Sequence, residues 1–223
     1  MKYETLFLDF YGTLVHEDDA IITKITEKIR NSSSQNPKTN EISAFWWQTF
    51  RALFENSFGA TFKTQRELET LSIKAVLEKF HCKTEVAAID AELFEYWQKP
   101  EIFPETKNFL NQIQLPICIV SNIDRADIES AINHHNLKFD IVITSQDAKS
   151  YKPREEIFRL ALEKTKIPQS KILHIGDSIS SDIIGANNLG IDTFWLNRKQ
   201  KPISQDIAPT YSGNSLLSIQ NHL

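Results

Sequence analysis

The spacing of apolar positions divides the chain into two kinds of segment. Between residues 17 and 99 the apolar side chains recur every three or four positions, which predicts amphipathic helices and gives no sign of a strand. Beyond residue 100, short runs of β-branched and other apolar residues alternate with amphipathic segments. Alternation of this kind is typical of a parallel sheet whose two faces are covered by helices.

The helical block is predicted to contain four helices. Asp18 and Asp19 are suited to cap the first, and the polar stretch at 31–40 is typical of an exposed loop. The second helix is predicted from about residue 41, the third from Thr64, where Glu67 completes a capping box, and the fourth at 84–97. The predicted core positions of the third helix are Leu68, Leu71, Ala75, Leu77 and Phe80.

Five apolar runs beyond and before this block are the strand candidates. The runs are 6–8, 117–120, 141–143, 172–175 and 193–196, and helices are predicted at 105–113, 124–134, 155–164 and 180–189. Because a single strand cannot bury both of its faces, the first run must belong to the same sheet as the others. The predicted fold is therefore α/β, with a doubly wound parallel sheet formed by 1–16 and 100–223 and an all-helical domain inserted at 17–99.

Composition and charge narrow the classes of protein that fit this pattern. Of the 223 residues 41% are hydrophobic and 24% are charged, and the net charge is −4. A chain of this charge, without a long basic stretch, does not suit a nucleic-acid backbone, and no apolar run approaches the length of a membrane span. The cysteines, Cys82 and Cys118, lack metal-type spacing and indicate buried thiols in a reducing, cytoplasmic setting.

Polar side chains follow the predicted strands at the points where the strands end. Asp9 follows the first run, Ser121 and Asn122 the second, and Asp177 the fourth, while Lys152 follows the third after a loop. In a doubly wound sheet these strand ends converge. A carboxylate can attack phosphorus, further carboxylates suit Mg²⁺, and a lysine with a hydroxyl can bind phosphoryl oxygens. The set therefore indicates phosphoryl transfer.

Four short motifs follow one another along the chain: Asp9-Phe10-Tyr11-Gly12-Thr13-Leu14, Ser121-Asn122, Lys152-Pro153, and Gly176-Asp177-Ser178 with Asp182. Taken in this order, they resemble the motifs of the haloacid dehalogenase-like hydrolase superfamily. The resemblance spans the whole chain, and the inserted helical domain is similar to the cap of the first subfamily. It implies a Rossmann-like core with a helical cap, and an enzyme that uses Mg²⁺.

The resemblance also implies which residues hold the metal. Asp9 would be both the nucleophile and a Mg²⁺ ligand, and the backbone carbonyl of Tyr11 would be a second ligand. Asp177 would complete the protein's share of the metal shell. Asp182 would bind either a metal-bound water or Lys152.

The remaining motif residues are implied to bind substrate. Ser121, Asn122 and Lys152 would hold the phosphoryl oxygens, and Thr13 would either support the loop around Asp9 or contact the substrate. The implied function is Mg²⁺-dependent hydrolysis of a small phosphorylated metabolite through an aspartyl-phosphate on Asp9. The sequence does not name the metabolite, because specificity lies in the cap and loops, and it does not indicate an oligomeric state.

Tyr11 departs from the phosphatase pattern. Phosphatases of the superfamily usually carry Asp at this position, where it protonates the leaving group. A tyrosine phenol has an ordinary pKa of about 10 and is a weak general acid for this purpose at neutral pH. The 2-haloacid dehalogenases of the superfamily carry Tyr here and need no Mg²⁺, since halide leaves without a proton. The first alternative is therefore a metal-independent 2-haloacid dehalogenase in which Asp9 displaces halide.

The last motif favours the phosphatase. Dehalogenases usually replace its first metal-binding acid with an uncharged residue, whereas this chain keeps Asp177 and Asp182. Three carboxylates clustered around Asp9 without a cation would repel one another and raise their pKa values. A second alternative, from another functional class, is a catalytically weak relative that binds a phosphorylated ligand without turning it over.

Overall fold

The sheet of the protein is parallel throughout the part of the chain that the computed structural model describes, residues 2–202 and 208–223. Its strand order is β3-β2-β1-β4-β5-β6, and each pair of neighbours is parallel. This is the order of a doubly wound Rossmann-like sheet, so the predicted fold class is confirmed. The strands are β1 Thr5–Leu8, β2 Ile117–Ser121, β3 Ile141–Thr144, β4 Ile172–Gly176, β5 Asp192–Leu196 and β6 Tyr211–Gly213.

The helices of the described residues follow the predicted alternation. They are α1 Asp19–Ser32, α2 Thr39–Glu55, α3 Gln65–Lys79, α4 Val86–Gln98, α5 Thr106–Gln112, α6 Arg125–His134, α7 Ser145–Ala148, α8 Glu155–Thr165 and α9 Ile184–Asn187. Short 3₁₀ turns lie at Gly59–Thr61, Gln169–Lys171 and Leu216–His222. None of the described helices combines the length and the apolar composition that crossing a bilayer requires.

The centre of the sheet is β1, which pairs with β2 on one side and with β4 on the other. Leu6 is in register with Ile117 and with Leu173. All four residues of β1 are buried, which explains its uninterrupted apolar run. On one face of the sheet, Phe7 and Cys118 pack with residues of α8, including Phe158. Asp9, the residue directly after β1, is therefore attached to a buried strand that is paired on both sides.

Two compact units make up the described chain. The sheet unit contains residues 1–16, 101–122 and 135–223, and the helical unit contains 17–100 and 123–134. The predicted insert at 17–99 falls within the helical unit, but α6 and the two residues before it group there as well. Asp124 accepts the backbone N–H groups of Gln65 and Arg66 at 2.9 and 3.0 Å, and Asp127 forms a buried, bidentate pair with Arg66. These bonds explain the grouping of α6 with α3.

The start of α3 has the predicted capping box. Thr64 Oγ1 accepts the N–H of Glu67 at 3.2 Å, and Glu67 Oε2 accepts the N–H of Thr64 at 2.7 Å. The predicted core of this helix is only partly correct, because Leu71 is 41% exposed and Ala75 is half-buried. The buried positions of α3 are Leu68, Glu69, Ser72, Ile73, Val76 and Leu77.

Some local predictions were less accurate than the fold class. The stretch predicted as a loop at 31–40 is shorter in the structure, since α1 continues to Ser32 and α2 begins at Thr39. The edge strand β6 was not predicted. Cys118 is a buried free thiol, as predicted, whereas Cys82 is only half-buried.

Candidate active site

Asp9 lies immediately beyond β1 and is almost completely buried. Its backbone N–H donates to the carbonyl of Ile175 in β4 at 2.9 Å, which extends the pairing of the two strands past the end of β1. The Asp9 side chain is 8% exposed. The carboxylate is therefore held at the carboxyl edge of the sheet, where open α/β sheets bind ligands.

Lys152 reaches the same point from the loop after β3 and α7. Its ammonium donates to Asp9 Oδ1 at 2.7 Å and to Asp182 Oδ1 at 2.6 Å, and its side chain is almost wholly buried. The structure therefore joins three of the predicted site residues in one buried ionic cluster. Burial makes each of these ion pairs depend on close geometry, since water does not screen the charges.

Asp177 completes a group of three carboxylates. One oxygen from each of Asp9, Asp177 and Asp182 lies within 4.8 Å of the others. Two glycines make this approach possible. A Cβ atom on Gly12 would lie 2.5 Å from Asp177 Oδ1, and one on Gly176 would lie 2.2 Å from Asp182 Cγ. Gly12 also has a φ of +87°, in the region that favours glycine.

The electrostatics of the cluster indicate too little positive charge. Burial raises the pKa of Asp9 to about 7, against the pull of the Lys152 ammonium and with a further contribution from Asp182. Burial also opposes ionisation of Asp182, but Lys152 prevails and lowers its pKa to about 2. One ammonium therefore keeps Asp182 ionised without fully stabilising the Asp9 carboxylate.

The residues present fit a divalent cation. Mg²⁺ prefers a few carboxylate ligands and keeps several waters, and this group places two buried acids and one half-buried acid around a lysine that pairs with the two buried ones. Asp182 is already engaged by Lys152 and by the backbone N–H of Ser178 at 3.1 Å. His174 also contacts Asp182 Oδ1, at 3.0 Å, so both oxygens of Asp182 are occupied and it is the least suited of the three acids to bind a metal directly.

Ser121 and Thr13 offer hydroxyl groups near the ends of the central strands. The Ser121 side chain, at the end of β2, is buried and makes no hydrogen bond among the described residues. Thr13 Oγ1 is buried and likewise accepts or donates no hydrogen bond there. A fully buried hydroxyl without a partner, such as Thr13 Oγ1, is uncommon in native proteins. The Ser121 hydroxyl is not among the fully buried atoms, so it is the one suited to donate to an oxygen-rich ligand.

The side-chain amide of Asn122, which was predicted to bind phosphoryl oxygens, bonds the backbone of Lys152. Its Nδ2 donates to the carbonyl of Lys152 at 3.0 Å, and its Oδ1 accepts the N–H of Lys152 at 2.7 Å. The amide therefore fixes the backbone that carries the ammonium. A direct contact between Asn122 and substrate stays a prediction.

Tyr11 is half-buried beside the cluster. Its ring meets the edge of the Phe10 ring at a centroid distance of 5.2 Å, and its backbone forms a bridge with Val15. Together with the bond from the Gly12 N–H to the carbonyl of Val15, this bridge closes the tight turn after Asp9.

Three supporting residues were not predicted as part of the site. His174 lies in β4 and its Nε2 is 3.0 Å from Asp182 Oδ1. Burial lowers the pKa of His174, so the neutral ring donates from Nε2 to the ionised Asp182. Trp195 Nε1 donates to the carbonyl of Asp177 at 2.9 Å, and Arg198 Nη2 donates to the carbonyl of Thr13 at 2.9 Å. A histidine within an otherwise apolar strand was the only signal for the first.

Comparison with known proteins identifies the family of the chain. Residues 6–196 match the model of the family described as haloacid dehalogenase-like hydrolase. The chain is 37% identical to the pyrimidine 5'-nucleotidase YjjG of Escherichia coli over 86 residues, which is 38% of this chain and 38% of that protein. It is 27% identical to the (S)-2-haloacid dehalogenase of Pseudomonas fluorescens over 127 residues, 54% of this chain and 56% of that protein.

The match thus spans less than two thirds of the length of either curated relative. A solved structure of YfnB from Bacillus subtilis, bound to magnesium, superposes with a TM-score of 0.76 and covers 100% of this chain and 99% of that one at 22% identity. This structural likeness concerns the fold. The relatives include a nucleotidase as well as a dehalogenase, so the family alone leaves the reaction open.

Proposed function

The chain belongs to the haloacid dehalogenase-like hydrolase family, and from that premise we propose that it is a Mg²⁺-dependent hydrolase of a small phosphorylated metabolite. The observation that carries the proposal is the group of three carboxylates, Asp9, Asp177 and Asp182, whose oxygens lie within 4.8 Å of one another. A dehalogenation site that binds an anionic haloacid has no use for three converging negative charges, whereas a phosphatase needs them to hold a cation.

In the first step, an oxygen of Asp9 attacks phosphorus and forms a new O–P bond while the bond to the leaving oxygen breaks. Lys152 holds Asp9 Oδ1 and thereby orients the carboxylate. The Ser121 hydroxyl and the Lys152 ammonium supply donors for the phosphoryl oxygens. Water then attacks the aspartyl-phosphate, which releases inorganic phosphate and restores the Asp9 carboxylate.

Mg²⁺ would be held by Asp9, Asp177 and the backbone carbonyl of Tyr11. When bound, it supplies the positive charge that the cluster lacks and that the phosphoryl oxygens require. Asp182 then serves to fix Lys152, to which it is bonded at 2.6 Å. In this scheme Asp9 and Asp177 bind the metal, and Asp182 binds Lys152.

Tyr11 matters for the protonation of the leaving group. Without a carboxylic acid at position 11, a substrate whose leaving group needs no proton, such as an acyl phosphate, reacts most easily. Substrates with poor leaving groups depend on water or on another side chain for the proton. We therefore expect acyl phosphates to be hydrolysed faster than alkyl phosphates.

The proposed setting is the cytoplasm. Both cysteines are free thiols, which agrees with a reducing compartment. The proposed partners are small molecules only, without nucleic acid or membrane, because a chain with a net charge of −4 and no long basic stretch does not favour binding to anionic polymers. The similarity to YjjG makes pyrimidine nucleotides worth including among the substrates tested.

The test is release of inorganic phosphate from a panel that contains acetyl phosphate, sugar phosphates and nucleoside monophosphates, with Mg²⁺ or with EDTA. We expect activity only with Mg²⁺, and a loss of at least about a thousandfold in Asp9→Asn. Glu163→Gln, an exposed acid on α8, is the matched control and keeps full activity. Activity that survives EDTA, or that is unchanged in Asp9→Asn, would refute the proposal.

Tyr11 favours a second candidate, the metal-independent 2-haloacid dehalogenase. There Asp9 would displace halide from carbon, and water would hydrolyse the resulting ester. Chloride release from 2-chloropropionate in the presence of EDTA would support this reaction, and no release at high enzyme concentration would exclude it. Tight binding of a phosphate analogue with negligible turnover of either substrate would favour a phospho-ligand-binding relative instead.

A further inference from the structure

The proposed metal ligands come from two loops that follow different strands. Asp9 and Tyr11 lie in the loop after β1, and Asp177 lies in the loop after β4. Mg²⁺ binds its oxygen ligands at about 2.1 Å and in nearly ideal octahedral geometry. The affinity for the ion therefore depends on what fixes the two loops relative to each other.

A single segment at the end of β5 bonds both of these loops. Trp195 lies in β5, and its Nε1 donates to the carbonyl of Asp177 at 2.9 Å. Arg198 lies just beyond the end of this strand, and its Nη2 donates to the carbonyl of Thr13, in the loop after β1, at 2.9 Å. Two side chains of one short segment thus hold the main chains of both loops.

Arg198 makes a connection that the order of the strands does not provide. In the described sheet β4 lies between β1 and β5, so the backbone pairing of β5 is with β4 and β6. The guanidinium therefore reaches past a neighbouring strand to the loop that follows Asp9. Trp195 acts over a shorter distance, because its own residue is in register with Gly176 of β4.

The guanidinium of Arg198 is held in place by its surroundings. It lies over the ring of Phe103, with 3.7 Å between Cζ and the ring centroid, and Nη1 forms an ion pair with Glu105. The side chains of this pair are only 19% and 18% exposed. A planar guanidinium that is stacked and paired loses little further freedom when it forms another hydrogen bond. Its bond to Thr13 is therefore well suited to fix the loop.

The segment that carries Trp195 and Arg198 is itself anchored. Trp195 is 2% exposed. The N–H of Asn197 donates to the carbonyl of Gly213 in β6 at 2.7 Å, and the side-chain amide of Asn197 forms two hydrogen bonds with the backbone of Lys201, both at 2.8 Å. The end of β5 is thus bonded to β6 and to its own following turn, and it provides a fixed support.

We infer that Trp195 and Arg198 together form a brace that sets the separation of these two loops and, through it, the affinity of the site for Mg²⁺. Both are positioning residues, since they act through the loops and not on the ion or the substrate. The inference rests on the proposed function, because it requires Mg²⁺ to bind between Asp9 and Asp177. The two bonds act in series, since the loops are fixed relative to each other only while both bonds are present.

The test is isothermal titration of the full chain with MgCl₂, which needs no substrate. Trp195→Phe removes the indole donor and keeps an aromatic ring, and Arg198→Met removes the guanidinium and keeps an unbranched side chain against Phe103. We expect each variant to bind Mg²⁺ about tenfold or more weakly than the wild type. Because the bonds act in series, the loss in the double variant should be well below the product of the two single losses.

Trp97→Phe and Arg159→Met are the matched controls. Trp97 is buried like Trp195, and its Nε1 donates to Asp18 in the helical unit at 3.1 Å. Arg159 pairs with Glu155 on the exposed side of α8. These variants lose the same donor and the same charge at places that do not bond either loop, so both should bind Mg²⁺ as the wild type does.

Steady-state hydrolysis of acetyl phosphate separates positioning from general damage to the fold. In Trp195→Phe and Arg198→Met, the Mg²⁺ concentration for half-maximal rate should rise by about tenfold or more, while kcat at saturating Mg²⁺ stays near the wild-type value. A lower kcat with unchanged Mg²⁺ affinity would overturn the inference, and so would single losses that multiply in the double variant.

Asp177→Asn distinguishes this inference from the proposed function. If Asp177→Asn abolishes Mg²⁺ binding while Trp195→Phe and Arg198→Met bind the ion as the wild type does, the inference about the brace is wrong and the proposed function stands. If the wild type and Asp177→Asn bind Mg²⁺ equally, or if neither binds it, the proposed function is wrong and the inference falls with it.

Discussion

Glu69→Gln should make the protein more stable, and more so as the pH rises. Burial is the main reason that the pKa of Glu69 in the folded protein is about 7, compared with 4.5 for an ordinary glutamate. Hydrogen bonds from Trp46 and Ser72 oppose this shift, and the nearby Asp18 adds to it. The native state therefore binds this proton more tightly than the unfolded state does.

The sign and the size of the effect follow from this difference. An acid with a raised folded pKa contributes its full stability below the unfolded pKa and loses it as the pH rises through the folded value. A difference of about 2.5 pKa units corresponds to about 3 kcal/mol at high pH, at about 1.4 kcal/mol per unit. Gln does not titrate, and its amide oxygen can still accept from Trp46 and Ser72.

The assay is urea unfolding of wild type and Glu69→Gln at about pH 5 and about pH 8. The free energy of unfolding of the variant should rise by about 2 kcal/mol relative to wild type between these two conditions. Glu78→Gln, which changes an exposed acid, should show no such pH-dependent difference. If Glu69→Gln differs from wild type by the same amount at both pH values, or loses stability at the higher one, the reasoning is wrong.

Three further predictions concern the cluster around Asp9. Gly12→Ala should destabilise the protein by about 2 kcal/mol or more and weaken Mg²⁺ binding, because its Cβ would lie 2.5 Å from Asp177 Oδ1; thermal unfolding with and without Mg²⁺ measures both. Gly190→Ala has a positive φ but open space around the added atom, so it is the control, and an equal loss of Mg²⁺ binding there would contradict the argument. Mg²⁺ at about a hundred times its Kd should stabilise the wild type by about 3 kcal/mol, and Asp177→Asn should abolish this shift in differential scanning fluorimetry; a retained shift would show that the ion binds elsewhere. Tyr11→Asp should speed hydrolysis of alkyl phosphates by about a hundredfold or more while leaving acyl phosphates little changed, and equal acceleration of both classes in steady-state assays would show that residue 11 does not act on the leaving group.

The fold and the converging strand ends were predictable because they follow from strong local patterns. The run before Asp9 is apolar at every position, as a strand buried on both faces must be, and Asp177 follows β4 in the same way. Once the sheet is parallel, its carboxyl ends meet. The convergence of Asp9 and Lys152 therefore required no knowledge of individual contacts.

The helical unit was less predictable because polar groups occupy its interior. Glu69 and Ser72 lie on the buried face of α3, where a hydrophobic pattern gives them no weight. Their presence shifted the predicted face toward Leu71, which is 41% exposed. The role of His174 in the site was not predicted either. Its partner Asp182 lies outside β4, so the pattern of the strand gives no sign of the contact between them.

The position of β1 in the sheet has a consequence for how the chain folds as it is made. This strand is synthesised before the other strands of the described sheet, yet its two neighbours come more than a hundred residues later, with Leu6 paired to Ile117 on one side and to Leu173 on the other. Until both have emerged, a strand with three consecutive apolar residues and two open edges remains exposed to wrong partners. Most of the helical unit lies between β1 and β2 in the sequence. If this unit folds early, the effective length of the loop that must close before β1 can pair with β2 is shorter. The bridge between Val15 and Ile102 marks where the two ends of that loop are brought together. Asp9, the proposed nucleophile, thus follows the strand that waits longest for its partners.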